Sequence, residues 1–161
     1  MSGATLSIGI TGIGVLACNG IGREAFWDSL EHGRSGIGLV DRFDTSDLSS
    51  KIGGQLWNFD AAKFVSKADY KRWHRSTHQA VVAAQFALED AGFDHASCDP
   101  ERVAVGIGSS ISSRDDEYDR DRAHADSPDW QTIDKFASST SSAHASTASI
   151  TSKYGFQGPA I

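Results

Sequence analysis

One stretch of this chain has the pattern of a helix without a polar face. From about Ser76 to Ala91, residues Ala80, Val81, Ala83, Ala84, Ala87, Leu88 and Ala91 cover most of a helical circumference, and Gly92 follows as a stop. A surface helix keeps one polar side, so this one must lie inside something. A shorter helical stretch precedes it, from an N-cap at Ser66 through Trp73. On either side stand short runs rich in β-branched residues, Leu6-Ser7-Ile8-Gly9-Ile10-Thr11 and Val103-Ala104-Val105-Gly106-Ile107-Gly108, which read as buried strands. Strand, helix, helix, strand with burial on two sides predicts an α/β fold, a largely parallel sheet covered by helices.

Composition narrows the function classes. The chain has 161 residues, with 39% hydrophobic and 22% charged, and suits one domain spanning 1–161. Its 21 acidic against 15 basic residues give a net charge of −6, which argues against wholesale nucleic-acid binding, since neutralising phosphates takes an excess of Lys and Arg. Apolar stretches such as Ala80–Ala84 fall far short of the roughly 20 residues that cross a bilayer, so no membrane partner is expected. Two cysteines, Cys18 and Cys98, cannot build a disulfide scaffold, and no basic n-region with an apolar run opens the chain. The reading is a cytoplasmic chain with reduced thiols.

The remaining segments fill in around these elements. Arg23 to His32 fits an amphipathic helix, with Phe26 and Leu30 one turn apart, Trp27 beside them and Gly33 at the C′ position. Residues Gly36–Val40 and Asp41–Gln55 read as loops and short strands. Ser112 to Asp129 is a polar, solvated excursion, and Ser138 to Ser152 is a helix of small side chains suited to close approach, running on to Tyr154 and stopped by Gly155. Gly158-Pro159-Ala160-Ile161 begins a third strand.

Several motifs have a plainer reading. Gly12-Ile13-Gly14-Val15-Leu16-Ala17 has the form of a dinucleotide fingerprint, but the helix starts only after Gly20 and no ribose-binding acid follows at the expected distance. A tight turn, with glycine permitting close packing, fits better. His74 and His78 stand at i and i+4, a spacing that can hold zinc, yet Arg75 occupies the position where a metalloprotease needs Glu, and two further ligands are missing. They read as partly exposed helical histidines. The run Asp115 to Asp121 lacks the central glycine and terminal glutamate of a calcium loop. Neither cysteine has an evident partner histidine, so both read as structural thiols.

The order of segments carries more information than any one motif. Ile8-Gly9-Ile10-Thr11-Gly12-Ile13-Gly14-Val15-Leu16, then Phe26-Trp27-Asp28-Ser29-Leu30 with Gly33-Arg34-Ser35-Gly36-Ile37, then Asp41-Arg42-Phe43-Asp44-Thr45-Ser46, resembles the start of a β-ketoacyl-acyl-carrier-protein synthase. Tyr70-Lys71-Arg72-Trp73-His74-Arg75, Val105-Gly106-Ile107-Gly108-Ser109 and Tyr154-Gly155-Phe156-Gln157-Gly158-Pro159 continue the resemblance in the same order, over nearly the whole chain. Many relatives carry Met-Asp where this chain has Trp73-His74, and the polar insert after Ser113 is distinctive.

The resemblance implies a thiolase-like layered α/β fold of two similar halves in a dimer, of which this chain corresponds to the N-terminal half. It implies decarboxylative Claisen condensation, in which a cysteine takes the acyl chain from an acyl carrier protein and two histidines assist loss of carbon dioxide from a malonyl unit. No cofactor and no metal are implied. The nucleophile belongs on the turn after the strand that Gly158–Ile161 begins, a few residues beyond Ile161, and none of the six histidines here matches the family's catalytic pair. The expectation is therefore that these residues alone are inactive and need a complementing C-terminal ketosynthase chain or segment, in a homodimer or heterodimer. By position, Ile111 matches an apolar gate beside the acyl pocket, and Phe136, or Ala137 if the alignment slips, lies near the end of the acyl tunnel; ordinary core packing is the alternative for each. Lys67, Lys71 and Arg72 fall where relatives meet the acidic carrier protein, with Asp69 weakening the cluster. A non-catalytic chain-length partner, whose first half looks similar, is the rival reading, and a thiolase relative acting on coenzyme A esters is a third.

Overall fold

The computed structural model describes residues 7–109, 122, 125, 142 and 144–161. The chain divides into two compact units, Met1–Trp57 with Gln85–Phe93, and Asn58–Ala84 with Asp94–Ile161. In the first, β1 (Leu16–Ala17) pairs antiparallel with β2 (Gly20–Ile21), and β3 (Ile37–Leu39) pairs antiparallel with β4 (Ile52–Gly54), Gly38 opposite Gly53. Helix α1 (Arg23–Glu31) follows β2 directly. The Trp57 indole N–H donates to the Gly36 carbonyl at 2.9 Å, fastening the chain after β4 to the approach to β3.

Helix α1 ends as its sequence predicts. Gly33 adopts φ +60°, the left-handed conformation that glycine takes without a Cβ clash, and the Arg34 N–H reaches back to the Ser29 carbonyl at 2.8 Å. The apolar side of this helix is another matter. Trp27 is 59% and Leu30 49% exposed, while Ser29 is buried. Together with Ile13, Val15 and Phe26 they line an open apolar groove of about 520 Å³.

The opening run differs from expectation as well. Residues 7–14 form no strand, and Ile8 and Ile10 are 87% and 86% exposed. A strand is defined by hydrogen bonding to a neighbour, and among the described residues none pairs with this segment. From Gly12 on, the same segment is tightly held. A Cβ on Gly12 would lie 2.2 Å from the Ala87 carbonyl oxygen and 2.7 Å from the Ala91 Cβ. The Ile13 N–H donates to Asp90 Oδ2 at 2.9 Å, and the Arg23 guanidinium bonds the other oxygen of the same carboxylate. The glycine-rich turn thus serves close packing.

Helix α2 (Lys67–Arg72) and helix α3 (Arg75–Asp90) match the two predicted helical stretches. No residue from Trp73 to Leu88 is exposed, which meets the expectation of an enclosed helix. Residues Arg75–Ala84 belong to the second unit, whose core includes Val81 and Val82 at 0% exposure, with Ile150 and Phe156. Burying each valine stabilises by about 1.5–3 kcal/mol. Thr77 and Ser146, both buried, share a hydrogen bond at 3.3 Å that links α3 to helix α4 (Ala145–Tyr154). The predicted small-residue helix is therefore helical from Ala145 on, whereas the described Ser142 and His144 precede it in a bend and a turn, and Gly155 at φ +73° ends it.

Where the sequence predicts a buried second strand and a third, the described residues form one parallel bridge, Val105 to Ala160, with Ala104, Gly106 and Gly108 exposed. The described two-stranded sheets are both antiparallel, in contrast to the expected largely parallel sheet, because neither run has a further described neighbour to pair with. Val105 N–H donates to Pro159 O at 2.9 Å, Ile161 N–H to Val105 O at 3.0 Å, and Ile107 N–H to Ile161 O at 2.9 Å. Among the described residues no helix is long and apolar enough to cross a membrane. Gly12→Ala should lower stability by about 1–3 kcal/mol through overpacking against α3. Gly9→Ala, with nothing within 4 Å of its Cβ position, serves as the control. Urea unfolding of both variants checks this, and equal midpoints would contradict the close-packing role of Gly12.

Candidate functional site

Helix α2 is six residues long, too short to hold its shape by backbone hydrogen bonding alone. Its first turn is fixed by a reciprocal cap. Ser66 Oγ accepts from the Asp69 N–H at 3.1 Å and donates to Asp69 Oδ2 at 2.8 Å. Asp69 near the N-terminus and Lys71 and Arg72 in the last turn complement the helix dipole.

The three predicted basic residues are all exposed, but they are not equivalent. Arg72 Nη2 bonds Asp69 Oδ1 at 3.1 Å, so its charge is largely balanced within the helix. Lys67 and Lys71, one turn apart, pair with no carboxylate among the described residues and leave a positive face on α2. Between them in sequence stands Tyr70, 45% exposed, whose ring stacks on the imidazole of His78 at a centroid distance of 5.0 Å and an interplanar angle of 15°. Trp73 tilts against the same imidazole at 6.3 Å.

His78 is 7% exposed and so buried, in contrast to the expected pair of partly exposed histidines. The Trp73 turn between α2 and α3 lays the aromatic rings over it, which the i, i+4 spacing alone does not reveal. Among the described residues no three His, Cys, Asp or Glu side chains come together in a way that could hold a metal ion. Cys18 sits in the β1–β2 turn, and the Cys98 thiol donates to the His95 carbonyl at 3.3 Å, not to an imidazole. Asp44, in the exposed loop between β3 and β4, is held below the usual carboxylate range, first by the Ser46 backbone N–H and then by the Ser46 hydroxyl. That arrangement shapes a turn. Ile111 and Phe136, the residues expected at the acyl pocket, lie outside the described residues.

A family model described as the N-terminal domain of β-ketoacyl synthase matches residues 6–161. The chain belongs to the β-ketoacyl synthase family. It is 40% identical over 115 residues to the tetracenomycin polyketide synthase ketoacyl synthase alpha subunit of Streptomyces glaucescens, covering 69% of this chain and 27% of that protein. It is 36% identical over 102 residues to the 3-oxoacyl-[acyl-carrier-protein] synthase 2 of Synechocystis sp., covering 63% and 24%. The chain thus spans about a quarter of the length of these curated relatives. Its fold superposes on the ishigamide ketosynthase/chain length factor with a TM-score of 0.85 at 22% identity, over 94% of this chain and 38% of that one. The expected thiolase-like α/β fold is the fold of this β-ketoacyl synthase domain.

Replacing Ser66 with Ala removes the cap of α2 and should cost about 1 kcal/mol, whereas Ser66→Asp should retain most of it. Thermal unfolding of both variants measures this; no loss on Ser66→Ala would show that the cap does not hold α2.

Proposed function

We propose that this chain supplies the N-terminal domain of a β-ketoacyl synthase acting in fatty-acid or polyketide assembly. The observation that carries the proposal is the family match over residues 6–161, in register with relatives named as ketoacyl synthases. In the reaction, a cysteine thiolate attacks an acyl thioester and releases the carrier thiol. Loss of carbon dioxide from a malonyl thioester then generates the carbon nucleophile that attacks the acyl-enzyme. A β-ketoacyl thioester forms and the cysteine is set free.

On this reading the cysteine and its assisting histidines come from a complementing C-terminal part, and the residues 1–161 form a partial domain without activity of their own. Acyl carrier protein meets the Lys67 and Lys71 face of α2, where complementary charge raises the association rate and sets orientation. Arg72, balanced by Asp69, contributes less. Ile111 and Phe136 act by shape on the acyl chain, where one methylene alters discrimination by about 1–3 kcal/mol. The assembly is a homodimer or heterodimer in the cytoplasm. A non-catalytic chain-length partner, whose first half looks similar, is the second reading. The residue at the nucleophile position separates the two, cysteine for the enzyme and an inert residue for the partner.

Carbon–carbon bond formation from acyl and malonyl carrier thioesters should be absent with this chain alone and present once the C-terminal part is added. Reversal of Lys67 and Lys71 to Glu should slow carrier-protein association by about tenfold at low salt, an effect that fades as salt screens the charges. Product formed by the chain alone, or association unchanged by both reversals, would count against the proposal.

A further inference from the structure

The basic face of α2 contains an aromatic residue held in an unusual way. Tyr70 is three residues after Lys67 and one before Lys71, so all three share one side of a helix. Its ring lies flat on the imidazole of His78, which is 7% exposed, yet the residue itself is 45% exposed. One side of the phenol therefore rests on a buried imidazole, while the residue stays half exposed on the helix side that carries the two lysines. Tyrosine has few rotatable bonds, and a ring fixed this way loses little entropy on meeting a partner. Arg72, tied to Asp69, does not compete for the same partner groups.

We propose that Tyr70 is the anchor residue of this docking surface, its hydroxyl donating a hydrogen bond to a carboxylate of an acidic partner protein while Lys67 and Lys71 flank it with opposite charge. The inference rests on the carrier-docking reading above and goes beyond it in naming an uncharged residue as the point of attachment. The lysines govern how often the partner arrives. Tyr70 governs how long it stays, because a contact made at close range changes mainly the dissociation rate.

The test uses the chain assembled with its C-terminal part and acyl carrier protein as the probe, with association and dissociation followed by surface plasmon resonance. Tyr70→Ala should raise the dissociation rate by about tenfold. Tyr70→Phe, which keeps the ring on His78 and the fold intact, should raise it by about threefold through loss of the hydroxyl. Both changes should persist at high salt, where the effect of Lys67→Glu and Lys71→Glu fades. Tyr70→Phe dissociating like the parent while the lysine reversals still slow association would overturn the anchor role and leave the docking reading standing. Lysine reversals without effect on binding would remove the docking reading and the anchor with it. Should Tyr70→Ala unfold, the Tyr70→Phe result alone decides.

Discussion

The backbone at Gly12 lies against the last turns of α3 so closely that no side chain fits between them. A Cβ there would meet the Ala87 carbonyl oxygen and the Ala91 side chain well inside contact distance. Close approach of this kind needs small residues on both partners, and the chain supplies glycine on one and alanines on the other. The Asp90 carboxylate then completes the joint by accepting from Ile13 N–H and Arg23 at once. The segment leading to β1, the start of α1 and the end of α3 all meet at this joint.

The proposed docking face lies on α2, just before the N-terminal end of α3. Helix α2 is too short to persist alone, so the Ser66 cap and the Tyr70 ring on His78 of α3 tie it down. Fixing α2 this way has an electrostatic consequence. Asp69 serves both the cap and Arg72, and so the free positive charge of the helix reduces to Lys67 and Lys71.

Much of this is legible in the sequence. The apolar circumference of α3, the Ser66 cap and the glycine stops at Gly33, Gly92 and Gly155 follow from local rules, and each agrees with the structure. The predicted second and third strands meet in parallel at Val105 and Ala160, but only as a single bridge and not as strands of a sheet. What local rules missed depends on contacts between distant residues. The β-branched run through Ile8 and Ile10 has strand character, but pairing takes a neighbour that none of the described residues provides. Trp27 and Leu30 have the spacing of a buried face and yet line an open groove, because spacing shows which residues share a side and not whether anything covers it. The i, i+4 spacing of His74 and His78 reads as a pair of partly exposed histidines, but Tyr70 and Trp73 cover the His78 ring and bury it. The resemblance reached further than either kind of rule, since it drew on separated segments in order.

The central proposal is that this domain contributes architecture and a docking face to a β-ketoacyl synthase, with the reacting thiol outside residues 1–161. Peptide mapping by mass spectrometry, after the assembled protein is loaded with an acyl carrier thioester and quenched, tests it most directly. The acyl group should be found on a cysteine outside residues 1–161. Its recovery on Cys18 or Cys98 at a level that tracks turnover would contradict the account.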